Sequence, residues 1–247
     1  MTVEELKIWQ GEFENLIYER ARQEGLLIDG KEPIYDGVVD ETTYLKSDLR
    51  VAWVLKEAYA DEDADGNPYG GGWQLRVGFS DENHDENWVD DLGCKLWTFP
   101  TWQKIAYVMY GYQNGLYWNN LPWMSEQPSM MESIKSIALI NVSKMPAKRN
   151  SCDGSFRRHF HNYWESIVHK QIEVYDPDVL IFGNTFSCFE PAWKSDLEYM
   201  EKTSNDCVWH YKFGKRHLLD TYHPAVRKSQ AYVDALIRVL NSIKKPC

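Results

Sequence analysis

No stretch of this 247-residue chain approaches the ~18–20 consecutive apolar residues that a membrane helix needs. The start, Met1-Thr2-Val3-Glu4-Glu5-Leu6, lacks the basic and apolar stretches of a secretory signal. Cysteine is sparse: Cys94, Cys152, Cys188, Cys207 and Cys247 are odd in number, widely spaced and never in a Cys-x-x-Cys pair. That argues against a disulfide framework and suits reduced thiols in a cytoplasm. Basic excess is also missing. The net charge of −10 argues against a generic nucleic-acid coat protein. Repeats and low-complexity tracts do not occur.

Acidic charge and aromatic rings are abundant instead. Residues 1–125 carry 10 Lys+Arg against 23 Asp+Glu, a balance of −13, whereas residues 126–247 carry 17 against 14, a balance of +3, and six of the seven His. An acidic body with a mildly basic half can still present one basic face to a polyanion. Six carboxylates fall within residues 81–91, which reads as an exposed loop. The 11 Trp are mostly core material by composition, but rings of this size also build stacking platforms for flat ligands.

Four short apolar runs read as strands buried on both faces: Arg50–Leu55, Ile137–Val142, Asp178–Gly183 and Arg216–Thr221. Helical spacing is found over 3–24, 100–112, 156–174 and 229–244, with Pro100 opening the second of these. Alternation of the two predicts βαβ crossovers and an α/β fold: three α/β/α layers around a four-stranded parallel sheet, as one domain with an N-terminal helical extension over about 1–49. In such sheets ligands bind beyond the carboxyl ends of the strands, so the residues at each strand exit are informative. The first strand leads into Lys56-Glu57-Ala58-Tyr59-Ala60, an acidic run containing Asp61 and Asp63, and Gly66-Asn67-Pro68-Tyr69-Gly70. The second ends in Asn141-Val142-Ser143-Lys144-Met145-Pro146-Ala147-Lys148-Arg149, the third in Gly183-Asn184-Thr185, and the fourth in Tyr222-His223-Pro224-Ala225-Val226-Arg227.

These four tips, in this order, resemble the uracil-DNA glycosylase superfamily, and most closely the motifs of its bacterial and archaeal iron–sulfur branch. That branch carries roughly Gly-Glu-Ala-Pro-Gly, acidic residues and Gly-x-Pro-Phe-x-Gly after its first strand; Glu57-Ala58 and Gly66 to Gly70 are similar, with one residue fewer between. Its second strand ends in Asn-Val-Val-Lys-x-Arg-Pro-x-x-Asn-Arg and its last loop reads Tyr-His-Pro-Ser-x-x-x-Arg, which Asn141 to Arg149 and Tyr222 to Arg227 resemble. The likeness covers less than half the chain. Departures stand at Lys56 for Gly, at Tyr59-Ala60 for Pro-Gly and at Ala225 for Ser, and the four cluster cysteines have no counterparts. No iron–sulfur cluster, other metal or cofactor is therefore expected.

The resemblance implies a DNA base-excision hydrolase that cleaves the N-glycosidic bond of uracil or another altered base. His223 would donate to the departing base oxygen, and Glu57, Asp61 or Asp63 would orient water and stabilise the cationic sugar. Asn141 would read the base edge and Tyr69 would stack on it. Lys144, Lys148, Arg149 and Arg227 would meet phosphates, with Val226 or Arg227 filling the gap left by the flipped base. The alternative is a catalytically degenerate relative that binds a nucleotide, nucleic acid or protein partner, motivated by Lys56, Tyr59, Ala60 and the −10 charge. Two metal readings are weaker still. His159 and His161 alternate on a helix and point apart. Asp61-x-Asp63-x-Asp65-Gly66 opens like a calcium loop, but Gly72 stands where its bidentate Glu is needed.

Overall fold

The computed structural model describes all residues except 29, 59–60, 63–64, 66–67, 81–82, 91–92, 148–154, 204 and 244–247, and describes 61, 62 and 68 by backbone alone. In chain order the elements begin α1 (Val3–Gln23), β1 (Gly37–Val38), α2 (Glu41–Lys46), β2 (Val51–Leu55), β3 (Asp61–Glu62), β4 (Pro68–Tyr69) and α3 (Pro100–Asn114). They continue with β5 (Ile137–Asn141), α4 (Ser155–His159), a π-helical segment Phe160–Trp164, α5 (Glu165–Tyr175) and β6 (Val179–Gly183). The chain closes with α6 (Glu190–Trp193), β7 (Leu197–Lys202), β8 (Val208–Phe213), β9 (Arg216–Thr221) and α7 (Ser229–Ile243).

Every residue of β2, β5 and β6 is buried, as continuous apolar runs in a sheet covered on both faces require. These strands and β9 pair in parallel in the order β5-β2-β6-β9. The sheet is wider than the four strands expected. It has seven, because β1 joins β5 antiparallel at one edge and β8 and β7 add antiparallel strands beyond β9. β7 (Leu-Glu-Tyr-Met-Glu-Lys) is a charged, exposed edge strand, a composition that blocks further pairing. A separate two-stranded hairpin, β3–β4, lies in the segment after β2.

Alternating side chains divide the interior into two cores. Val51, Trp53, Ile137, Leu139, Val179, Ile181 and Leu219 pack under α3 and α7, whereas Ala52, Val54, Ala138, Ile140, Leu180, Phe182 and Leu218 pack under α1 and α5. Each fully buried Val, Leu, Ile or Phe contributes about 1.5–3 kcal/mol of hydrophobic free energy. On the first face α3 and α7 approach closely: a methyl group on Gly111 would stand 2.5 Å from the Ile237 side chain.

Helix α1 is part of the second layer. A capping box opens it, Thr2 Oγ1 accepting from Glu5 N–H and Glu5 accepting from Thr2 N–H. Leu6, Phe13, Ile17 and Ala21 then repeat at helical spacing and are buried, while Leu16 faces outward. The 81–91 segment is not wholly exposed, since Trp88 is buried beneath it. No helix among the described residues is long and apolar enough to cross a membrane.

Candidate functional site

Because β2 and β5 are parallel, the crossover helix between them runs antiparallel to both. The first turns of α3, Lys104 among them, therefore lie over the carboxyl ends of the strands. The chain leaves β2 towards β5 on one side and leaves β6 towards β9 on the other, so the strand order reverses between β2 and β6. In sheets of this kind such a reversal marks the carboxyl edge where ligands bind.

Backbone bonds hold the four strand exits together. Val142 N–H and Ser143 N–H donate to the Leu55 and Lys56 carbonyls at 2.9 Å each, and Ala147 N–H reaches the Ala58 carbonyl at 3.1 Å. Thr185 Oγ1, after β6, donates to the Val54 carbonyl at 2.8 Å. Asn184, left-handed at φ 63°, bonds through its N–H to the Thr221 carbonyl at 2.8 Å. Pro224 folds back onto β6: a Cβ on Gly183 would meet Leu55 Cδ2 at 3.0 Å and Pro224 Cδ at 3.1 Å, so any larger residue there would push these neighbours by a few tenths of an ångström. β9 lies two strands from β2, about 10 Å at sheet spacing. The inward fold of the His223-Pro224 turn shortens that gap.

Within this edge Asn141 is only 2% exposed, its backbone N–H held by Asp36 Oδ2 at 2.5 Å, and its side-chain Nδ2 is buried without a hydrogen-bond partner. Alternation along β5 sets Asn141 on the α3 face with Ile137 and Leu139. His223 is half-buried, and its Nδ1 accepts from Ala225 N–H at 3.2 Å, leaving Nε2 as the protonated nitrogen of the neutral ring. Burial, then the charges of Lys56 and Lys104, push its pKa down to about 4, so the ring is neutral at pH 7. Lys56 Nζ also lies 5.0 Å from the centre of the Phe156 ring. Glu57 comes next in the chain, with Oε2 buried, and its charge helps raise the Cys188 thiol, whose pKa burial pushes up to about 12.

The other expected residues divide. Tyr69 is exposed in the β3–β4 hairpin, and Gly71, just beyond it, abuts Pro146 after β5, which brings the hairpin beside the same edge. Val226 is partly buried against the α3–α7 core, and Arg227 is exposed. Lys144 is a correction. Expected at a phosphate, it is fully buried, its Nζ donating to Asp36 at 2.6 and 2.8 Å and to Gln171 Oε1 at 2.8 Å. A phosphate cannot reach it without unmaking that network. Asp63, Lys148 and Arg149, the side chain of Asp61 and most of the calcium-like loop lie outside the described residues. Among the described residues no group of three His, Cys, Asp or Glu is arranged to hold a metal.

Two residues escape a motif-based reading. Lys104 is 5% exposed, carries no ion pair or hydrogen bond among the described residues, and has its pKa lowered by burial. Its one sequence signal is register: Val108, Gly111 and Tyr112, four, seven and eight residues on, line the buried face of α3. Asp220, at the end of β9, is raised to about 6 by burial and then by the charge of Glu190. Chemically, the edge offers a neutral imidazole N–H, an unsatisfied amide, two cations and a partly buried carboxylate. No family model matches the chain, and no curated protein matches it.

Proposed function

We propose that the protein is a base-excising hydrolase of the uracil-DNA glycosylase type, cleaving the N-glycosidic bond of uracil or another altered base in DNA. The observation that carries this reading is His223, a ring kept neutral at pH 7 with Nδ1 occupied and Nε2–H left to donate. A base departing from deoxyribose carries negative charge into its carbonyl oxygens, and a preorganised neutral donor stabilises that charge. The buried Asn141 amide supplies the second recognition element. Its Nδ2 lacks a partner among the described residues, and a carbonyl on a bound heterocycle would satisfy it. Glu57 would orient the attacking water and offset the oxocarbenium-like sugar. Arg227 remains an exposed cation for the DNA backbone. The parallel four-strand centre within the wider sheet supports the same family likeness.

The test is incubation of the purified chain with single- and double-stranded oligonucleotides containing uracil, hypoxanthine or xanthine. Abasic product from at least one is expected. Complete absence of abasic sites across the panel overturns the reading. In that outcome the alternative, a degenerate relative that binds without cleaving, gains the support of Lys56 standing where the family has glycine.

A further inference from the structure

The main chain of Asn141 is held by a charged group where a neutral one would suffice. Strand β1 pairs with β5 only at Ala138 and Leu139, so it stops short of Asn141. The carboxylate of Asp36, the residue before β1, stands in for the next strand carbonyl: its Oδ2 accepts the Asn141 N–H at 2.5 Å. The same carboxylate accepts Lys144 Nζ through both oxygens, at 2.6 and 2.8 Å, and Gln171 Nε2 through Oδ1 at 2.8 Å. Gln171 Oε1 closes the set by accepting from Lys144 Nζ at 2.8 Å. All three side chains belong to buried residues. A buried ion pair is a poor source of stability, because desolvation of the two charges offsets their attraction. It does supply fixed geometry: with both oxygens engaged the carboxylate cannot rotate, and the Asn141 nitrogen is tied to it. From the other side, Val142 N–H donates to the Leu55 carbonyl at 2.9 Å, so the exit of β5 is clamped between Asp36 and β2. The Asn141 side chain has no such hold on Nδ2, which is buried without a hydrogen-bond partner among the described residues. Its place follows from the main chain.

We propose that Asp36 is a positioning residue for Asn141: its carboxylate, locked by Lys144 and Gln171, fixes the main chain of Asn141 so that the free amide donor stands ready for the base. This rests on the glycosylase reading and deepens it, adding a residue that touches no substrate and belongs to no strand-exit motif. No proton moves and no bond changes at Asp36. An amide already in place meets the base without reorganisation, and a displacement of about 1 Å in a group of this kind lowers turnover by up to about a hundredfold.

The experiment compares two double variants of the full chain. Asp36→Leu with Lys144→Met removes the charge pair and the acceptor of the Asn141 N–H. Asp36→Asn with Lys144→Met removes the charges but keeps a side-chain carbonyl for that N–H. Turnover on a uracil-containing oligonucleotide is measured well below both melting temperatures, so that lost rate is not unfolding. The leucine variant should lose kcat roughly ten- to a hundredfold with KM little changed, and the asparagine variant should recover most of it. Nuclear magnetic resonance supplies a readout that needs no catalysis. The Asn141 N–H, slow to exchange in the parent, should exchange faster in the leucine variant, and its side-chain amide should give more than one pair of signals. Both changes should revert in the asparagine variant. Equal rates in the two variants overturn the positioning role and leave the glycosylase reading standing. If the leucine variant does not fold, Gln171→Met, which takes one donor from Oδ1, is read in its place. An unchanged rate there, with a single pair of Asn141 amide signals, overturns the proposal. Signals that change and revert as expected, with no abasic product from the parent, uphold the positioning of Asn141 and overturn the glycosylase reading instead.

Discussion

Two lysines are buried among the described residues, and their surroundings differ sharply. Lys144 Nζ is fully enclosed and meets Asp36 at 2.6 and 2.8 Å and Gln171 at 2.8 Å. Gln171 Nε2 returns to Asp36 Oδ1 at 2.8 Å, and Asp36 Oδ2 also receives the Asn141 N–H. Burial lowers the Lys144 pKa while Asp36 raises it back. The Lys104 side chain is buried along its length but its charged end is less enclosed, and burial alone lowers its pKa. Burial by itself therefore says little about purpose. A closed set of partners marks a cation that holds the fold, tying β5 to α5 and the segment before β1.

The comparison breaks most readily at Asp36. Asp36→Ala strands the Lys144 charge, and removing one partner of a buried pair costs about 3–5 kcal/mol. For a chain of this size that lowers the melting temperature by roughly 10 °C. The double variant Asp36→Leu with Lys144→Met should recover most of the loss, because an apolar pair of similar volume no longer carries an uncompensated charge. Calorimetric melting curves check both. A single variant that melts within a degree or two of the parent would mean that the network contributes nothing.

His223, whose pKa the charges of Lys56 and Lys104 help to lower, should show the opposite pattern: large effect on activity, small effect on stability. Its ring touches the fold through one hydrogen bond from Ala225 N–H. His223→Ala removes the donor proposed to meet the leaving oxygen, and losing one such donor typically slows turnover by about a hundred- to a thousandfold. Abasic-product rates and melting curves measured on the same preparation separate the two effects. Equal rates for parent and variant would remove His223 from the reaction.

The same contrast explains what was legible in the sequence. The four parallel strands announced themselves because strands buried on both faces read as unbroken apolar runs. β1 is only two residues long, and β7 has the polar composition of an edge, so neither carries an apolar signal. The helix after β5 was visible, but its π-helical segment Phe160–Trp164 was not, since one-residue changes of period leave the apolar stripe nearly intact. Asn141 and His223 could be placed at strand ends from order alone. Lys144 was misread for a physical reason: beside Met145 and Pro146 it has the look of a solvated loop, and the partner that buries it, Asp36, is 108 residues away in sequence. Lys104 failed in the other direction, one polar residue on a face otherwise apolar, visible only through its register on α3.

The smallest and most discriminating effect lies in pH. His223, depressed to about 4, is held there by burial first and then by Lys56 and Lys104. A free imidazole titrates near 6.5, so between about 6.5 and 4 the unfolded chain carries a proton on this ring that the folded chain does not. The contribution is complete above the unfolded value and is lost as pH falls towards the folded one. Acid therefore destabilises the fold, and His169, His210 and His217, all lowered chiefly by burial, act in the same direction. Lys104→Met removes one of the two cations that oppose protonation of His223. Its pKa must rise, the acid limb of the pH–rate profile must move upward from about 4, and Lys144→Met, made together with Asp36→Leu, must leave that limb unmoved. Profiles of abasic-product formation for the three proteins read this directly. An acid limb that stays in place in Lys104→Met would mean that its ammonium does not act on the ring, and the distinction between the two lysines would then rest on stability alone.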